Sequence, residues 1–165
     1  MSRILALDQA LKISGYAIFE DKNLIDYGTF SIPAHKPIEE RLNLIMQNLY
    51  NLDQSYGFSE VFFEDIQNQQ NNETYKKLAY VQAAIMIWCY NKPCNFNILS
   101  PSHWRSILKQ ANDGLGFGRA RVEQKQKAIE FVSTHFKKDV SSDEADAICL
   151  GYAGLLEKGK NKNAW

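Results

Sequence analysis

The chain has 165 residues, 45% of them hydrophobic and 23% charged, and its formal net charge is zero. This composition is typical of a single globular domain over residues 1–165 and excludes disordered, fibrous and generally basic chains, so any nucleic-acid binding must use local patches. The three cysteines lack paired metal-ligand spacing, and no apolar run reaches membrane-spanning length. We therefore expect a protein of the reducing cytoplasm (host cytoplasm if the gene is viral) that does not bind membranes.

The first half of the chain predicts three strands, a helix and a fourth strand. Short apolar runs indicate strands at Ile4–Leu7, from Ser14 and from Asn23, with a hairpin turn at "EDKN" between the last two. Apolar residues at helical spacing predict a helix over Ile38–Leu52, and "EVFFED" supplies a buried strand at Val61–Phe63. The first three strands are expected to be antiparallel.

The second half alternates helices with one more strand. A helix is predicted from Glu73 to about Tyr90, then a strand at "NFNILS" and a short helix capped by Ser100. A glycine-rich loop leads to a helix over Arg121–Thr134, and "VSSDEADA" opens the last helix, with a polar basic tail over 158–165. The order predicts an α/β fold with a mixed five-stranded sheet flanked by helices.

Two acids stand at the ends of buried strands. Asp8 follows the first apolar run and Glu64 follows the fourth. Ligands of open α/β sheets bind at the carboxyl ends of the strands, so both acids are candidate site residues. For either acid alone, a strand that simply ends in solvent is an equally good interpretation.

The last helix carries a third group of acids. Ser141 and Glu144 have the spacing of a capping box, and Asp143 lies in the first turn, where a negative charge favours the helix dipole. Asp146 lacks such a structural role, because its neighbours are apolar and it lies on the same face as Asp143. A buried carboxylate is destabilising by several kcal/mol unless it is paired or binds a metal.

A divalent cation would account for these acids. Mg²⁺ and Mn²⁺ prefer carboxylate oxygens, and two ions about 3.5–4 Å apart are the arrangement used for phosphodiester hydrolysis. We therefore predict a two-ion site, with no histidine or cysteine ligand, formed by Asp8, Glu64, Asp143 and Asp146.

A local excess of basic residues lies between His103 and Ala128. Arginines and lysines in such a patch neutralise DNA phosphates and make binding salt-dependent. The residues predicted to bind DNA are Arg105, Arg119, Arg121 and Lys125. Phe117, on the glycine-rich loop, would stack on a base or pack beneath the loop.

Three segments resemble the acidic motifs of RuvC-type Holliday-junction resolvases, which belong to the ribonuclease H-like and retroviral-integrase superfamily. They are "ILALDQALKISGYAIFE", "VFFEDIQNQQ" and "SSDEADAICLGYA", in the family's order and over nearly the whole chain. The resemblance implies a ribonuclease H-like fold and Asp8, Glu64, Asp143 and Asp146 as the catalytic metal-binding set. It also implies a Mg²⁺-dependent homodimer that nicks two opposing strands of a four-way DNA junction.

Other interpretations stay open at this point. Resolvases of this kind often carry an aromatic wedge after the second acid, whereas Gln67 stands at about that place, so broader cleavage of branched DNA or RNA–DNA is an alternative. A non-catalytic α/β nucleic-acid-binding module is another. On the long helix, Tyr80, Met86 and Trp88 are expected in the core, unless that face is partly exposed and forms the dimer contact.

Overall fold

A computed structural model describes residues 2–67 and 70–162, and within them the chain forms a five-stranded sheet and five helices. The strands are β1 (Arg3–Asp8), β2 (Ile13–Glu20), β3 (Asn23–Ser31), β4 (Glu60–Glu64) and β5 (Asn95–Leu99). The helices are α1 (Ile38–Tyr56), α2 (Asn72–Asn91), α3 (Pro101–Ala111), α4 (Arg121–Phe136) and α5 (Ser142–Lys162). Each predicted element is present, with ends that differ by a few residues. None of the helices in this part of the chain has the length and apolar character needed to cross a membrane.

The sheet has the order β3-β2-β1-β4-β5. β2 is antiparallel to both β1 and β3, whereas β4 is parallel to β1 and β5 is parallel to β4. This confirms the predicted mixed sheet with three antiparallel strands at its start. Since β1 and β4 are adjacent and parallel, Asp8 and Glu64 lie at the same edge of the sheet.

Both faces of the sheet are covered, which explains the unbroken apolar runs of its central strands. Leu5 and Leu7 of β1 belong to a core cluster with α1 and α2, while Ile4 and Ala6 belong to a cluster with α3, α4 and α5. The alternation follows from the two-residue period of a strand. α5 lies across β1 and β2 and places its first turns at the edge where β1 ends.

Two expectations about the helices differ from the structure. Tyr80 and Met86 were expected in the core but are 40% and 36% exposed, because Val81, Ile85 and Cys89, four residues apart, form the buried face of α2. That expectation was wrong, and the outward face of the helix is partly apolar.

The second difference is at the carboxyl end. Residues 158–162, expected to begin a polar tail, continue α5, and residues 163–165 lie outside the described part of the chain. The helix continues because its lysines have partners on the fold: Lys158 donates to the carboxylate of Glu60, and Lys160 Nζ lies 3.2 Å from Gln110 Oε1.

Candidate active site at the carboxyl ends of two parallel strands

A cavity of about 720 Å³ lies where β1 and β4 end and α5 begins. β1, β4, α5, α3 and the start of α4 all contribute to its lining. The lining includes every residue that the sequence analysis selected for metal or DNA binding: Asp8, Glu64, Asp143, Asp146, Arg105, Arg119, Arg121 and Lys125. The structure therefore brings the whole predicted set to one place.

Gly15 permits the close approach of α5 to the end of β1. It is the strand partner of Asp8, and a Cβ built on it would lie only 2.0 Å from the main-chain oxygen of Asp143. Only a residue without a side chain lets the helix lie this close to β2. Sequence reasoning noted this glycine only as part of a family motif, because its helix partner is 128 positions away in the printed sequence.

The start of α5 separates its acids into two roles. Glu144 Oε2 accepts from the Ser141 main-chain N–H at 2.9 Å, and the Glu144 N–H donates to Ser141 Oγ at 3.3 Å. The predicted capping box is thus formed, and Glu144 is not among the residues that line the cavity. Asp143 and Asp146 do line it, one helical turn apart on the same face.

The surroundings of Asp8 and Asp146 disfavour the ionised form of both carboxyl groups. Removal from water raises the pKa of Asp8 well above its usual value, and the charges of Asp146, Glu64 and Asp143 raise it further, while Lys125 opposes them. Burial, followed by the charge of Glu64, raises the pKa of Asp146 to about 7, against the opposing effects of Arg105 and Lys125. Within the described residues, neither carboxylate accepts a hydrogen bond or forms an ion pair.

Glu64 is held by residues that the sequence analysis did not select. Its Oε2 accepts from the indole N–H of Trp104 at 2.9 Å, and its main chain bonds the side-chain amide of Gln9. Burial raises the pKa of Glu64, and the Trp104 hydrogen bond and the charge of Arg105 act in the opposite direction. The carboxylate is therefore oriented by a neutral donor.

The basic residues differ in their exposure. Arg119 and Arg121 are exposed, while the guanidinium of Arg105 lies over the Trp104 ring, with its central carbon 4.7 Å from the ring centroid. Arg105 Nε is buried and has no hydrogen-bond partner in the described part of the chain. Arg105 also lines the cavity, where a positive charge favours an anionic ligand. Phe117 packs edge-on against Trp104 and supports the loop from beneath.

The segment after Glu64 bears on the expected wedge. Asp65, Ile66 and Gln67 line the cavity, and the carboxylate of Asp65 accepts from the Ile66 main-chain N–H at 2.9 Å. Tyr75, the first aromatic residue after Glu64 along the chain, is 41% exposed and is absent from the lining. Residues 68 and 69 lie outside the described chain.

The donor set suits a hard divalent cation by its chemistry. The cavity is lined by several carboxylates that repel one another, and such oxygens are the ligands that Mg²⁺ and Mn²⁺ prefer. Across residues 2–67 and 70–162, no three histidine, cysteine or acidic side chains are gathered closely enough to hold one ion in the positions observed. Ion binding at this site therefore requires the carboxylates to turn toward a common centre.

Comparison with known proteins gives the site its family context. A family model described as "Crossover junction endodeoxyribonuclease RuvC" matches residues 4–153. The chain belongs to the RuvC family. The RuvC of Clostridioides difficile (strain 630) is 29% identical over 163 residues, which cover 94% of this chain and 93% of that protein. The RuvC of Halorhodospira halophila is 27% identical over 153 residues, covering 90% and 89% of the two chains.

Two solved structures share the fold. Thermus thermophilus RuvC in complex with a Holliday junction substrate matches with a TM-score of 0.79 and 13% identity, covering 97% of this chain and 96% of that one. Fowlpox virus resolvase in complex with Holliday junction DNA matches with a TM-score of 0.55 and 16% identity, covering 93% and 98%. The predicted RuvC-type, ribonuclease H-like fold is confirmed.

Membership in the RuvC family also confirms the predicted enzyme class. The family consists of Holliday junction resolvases, which are nucleases and depend on metal ions.

Proposed function

We propose that this RuvC-family protein resolves four-way DNA junctions by paired, symmetric, metal-dependent nicks. The observation that carries the proposal is one cavity in which five carboxylates lie beside five basic side chains. Phosphodiester hydrolysis needs both groups, since carboxylates hold cations and basic residues neutralise the DNA backbone. Two solved relatives of the same fold are complexes with Holliday junctions.

The carboxylates would hold two Mg²⁺ ions, for which Mn²⁺ would substitute. The residues assigned to this role are Asp8, Glu64, Asp143 and Asp146. When bound, two such metal ions would lower the pKa of the attacking water and stabilise the leaving 3′ oxygen. Support comes from the raised pKa values of Asp8 and Asp146, since a nearby cation would stabilise their ionised forms.

The basic residues would hold the DNA backbone at this edge of the sheet. Arg119 and Arg121 are exposed, as phosphate contacts require, and Lys125 lies one turn further along α4. Arg105 also lines the cavity, and its guanidinium would donate to a phosphate oxygen there. These contacts position the DNA without reading its sequence.

Paired nicks require two active sites, so we infer a homodimer. The partly apolar outward face of α2 is the surface proposed for this contact, and it includes Tyr80, Met86, Ile87 and Tyr90. Action in the cytoplasm, expected from the sequence, stays a prediction.

The experiment that tests the function compares three labelled substrates: an immobile four-way junction, a duplex of matched sequence and an RNA–DNA hybrid. Each is incubated with the protein and Mg²⁺, Mn²⁺ or EDTA. We expect symmetric nicks in two opposing strands of the junction, with no cleavage in EDTA and none of the duplex. Equal cleavage of the hybrid would instead favour a ribonuclease H-like activity, and metal-independent cleavage would contradict the proposed site.

A further inference from the structure

Glu64 is fixed at three points by two uncharged side chains. Gln9 Oε1 accepts from the Glu64 main-chain N–H at 3.2 Å, and Gln9 Nε2 donates to the Glu64 carbonyl oxygen. Trp104 Nε1 donates to Glu64 Oε2 at 2.9 Å. Both the main chain and the carboxylate of this residue are therefore restrained.

The side chain of Gln9 continues the hydrogen bonding between β1 and β4 beyond the end of their ladder. The β1–β4 ladder ends at the pair Leu7 and Phe63. A glutamine amide carries the same donor and acceptor as a peptide group, so the side chain of Gln9 satisfies both main-chain groups of Glu64, which two residues of a longer parallel β1 would otherwise bond. Because Gln9 directly follows Asp8, its amide couples the main chains that carry both acids.

Trp104 restrains the carboxylate without neutralising it. Its indole is fully buried and packs edge-on against Phe117, with ring centroids 5.6 Å apart, so its N–H has a fixed direction. A lysine or arginine in its place would cancel the negative charge that a cation needs. The neutral N–H leaves that charge in place and engages Oε2, while Oε1 accepts no hydrogen bond within the described residues.

From this arrangement we infer that Gln9 and Trp104 are positioning residues that hold Glu64 ready to bind a divalent cation. The inference rests on the proposed function, in which Glu64 is a metal ligand. Outer partners that orient metal ligands typically change metal affinity or activity by about 10- to 100-fold when they are mutated. Neither residue touches DNA or a reacting atom in this assignment.

The test measures Mn²⁺ binding to the full chain without DNA, by the loss of the free-ion electron paramagnetic resonance signal. The variants are Gln9→Met, which keeps the length of the side chain but removes both hydrogen bonds, and Trp104→Phe, which removes the indole N–H. We expect each to raise the Mn²⁺ dissociation constant by about 10- to 100-fold. Junction nicking should recover in part at high Mn²⁺, and junction affinity in EDTA should stay at the wild-type value.

Trp104→Phe also loosens the core, so a matched control is needed. Phe131 is buried in the same cluster and makes no polar contact with Glu64 within the described chain. Phe131→Leu should lower the melting temperature by a similar amount and leave the Mn²⁺ dissociation constant unchanged. If Phe131→Leu raises the Mn²⁺ dissociation constant as much as Trp104→Phe does, the role of Trp104 is overturned. If Gln9→Met leaves the Mn²⁺ dissociation constant unchanged, the role of Gln9 is overturned.

The two levels of the argument fail in different ways. Wild-type protein that binds Mn²⁺ but does not nick the junction would contradict the proposed function, while the comparison of Mn²⁺ affinities would still decide the roles of Gln9 and Trp104. Wild-type protein that binds no Mn²⁺ at millimolar concentration would overturn the inference itself.

Discussion

Strand β4 carries a glutamate at each end, and the two have opposite surroundings. Glu60, at the start, is 6% exposed, and its carboxylate accepts from Lys158 Nζ and Asn97 Nδ2. Glu64, at the end, accepts from one neutral indole and shares its cavity with four other acids. At one end the chain supplies the countercharge, and at the other it collects more negative charge.

Helix α5 contributes to the surroundings of both glutamates, because it runs from one end of β4 to the other. Its last turns bring Lys158 to Glu60, whereas its first turns bring Asp143 and Asp146 to the cavity of Glu64. A buried acid is tolerated where a cation of the protein pairs with it. At the other end, the described residues form no ion pair between a basic side chain and the acids of the cavity, so the comparison points to a cation taken from solution. The following experiments test this difference.

The largest effect is expected from Asp8 and Asp146, whose carboxylates form no hydrogen bond or ion pair within the described residues. Asp8→Asn and Asp146→Asn should each reduce junction nicking by more than about 100-fold, since even outer partners of metal ligands change activity by 10- to 100-fold. Binding of the junction in EDTA should be retained, because the phosphate contacts come from other residues. Initial rates on a labelled junction and gel-shift affinities measure the two quantities.

Glu60→Gln is the matched control for both variants. It removes a carboxylate from the same strand at the paired end and should leave the nicking rate of the folded protein within about twofold of wild type, since it lies outside the cavity. Equal loss of nicking in Glu60→Gln would remove the distinction between the two ends. Retained turnover in Asp8→Asn or Asp146→Asn would reject the metal-site assignment.

Ionisation of Asp146, in the cavity at the carboxyl end of β4, should also destabilise the protein as the pH rises. The pKa of Asp146 is about 7 in the folded state against an ordinary 3.8, so this group stabilises the fold fully below about pH 4, and that contribution is lost as the pH rises through 7. At 1.36 kcal/mol per pKa unit, the loss reaches about 4 kcal/mol. Urea unfolding of wild type and Asp146→Asn in EDTA measures it as their difference across this range.

The change with pH in the difference between the free energies of unfolding of wild type and Asp146→Asn tests whether the pKa of Asp146 is raised. The Asp146→Asn variant should gain stability relative to wild type between about pH 4 and 8, and Mg²⁺ should reduce the gap by stabilising the ionised wild-type carboxylate. A gap that stays constant with pH would show that Asp146 ionises freely in the folded state.

A smaller effect is expected at the paired end. Lys158→Met leaves the buried carboxylate of Glu60 without its cation, and an unsatisfied buried group destabilises by about 1–3 kcal/mol. The expected result is a lower free energy of unfolding with an unchanged nicking rate per folded molecule. If the double variant Glu60→Gln, Lys158→Met regains the free energy of unfolding lost in Lys158→Met, the unpaired charge of Glu60 is responsible. Equal losses of free energy in Lys158→Met, Glu60→Gln and the double variant would argue against this.

The smallest effect concerns the exposed arginines at the cavity. Arg119→Ala and Arg121→Ala should each weaken junction binding and reduce the slope of log affinity against log salt by about 1. Lys138→Ala, on a residue outside the cavity lining, serves as the control. Slopes identical to that of wild type would exclude these arginines from the DNA interface.

The sequence predicted the elements, the antiparallel arrangement of the first three strands and eight of the residues that line the cavity, because each depended on a local pattern. Asp8 and Glu64 end apolar runs, and Asp146 interrupts an apolar helix. Gln9 and Trp104 were missed because their bonds to Glu64 join residues 55 and 40 positions apart. In the sequence, a buried tryptophan on an amphipathic helix looks the same whether or not its N–H serves a site.

The wrong assignment of Tyr80 and Met86 has a related cause. Composition marks a residue as apolar, but only the packed sheet decides which side of α2 faces inward. The carboxyl end of α5 differed because the partner of Lys158 lies on β4, 98 positions earlier in the chain.

The absence of a side chain at Gly15 sets how closely α5 approaches the end of β1 beside the cavity. A methyl group there would wedge strand and helix apart and carry Asp143 and Asp146 away from Asp8, while the sheet itself stayed intact. Substitution of Gly15 by side chains of increasing size would therefore increase the distance between Asp8 and the two acids of α5, Asp143 and Asp146, in steps.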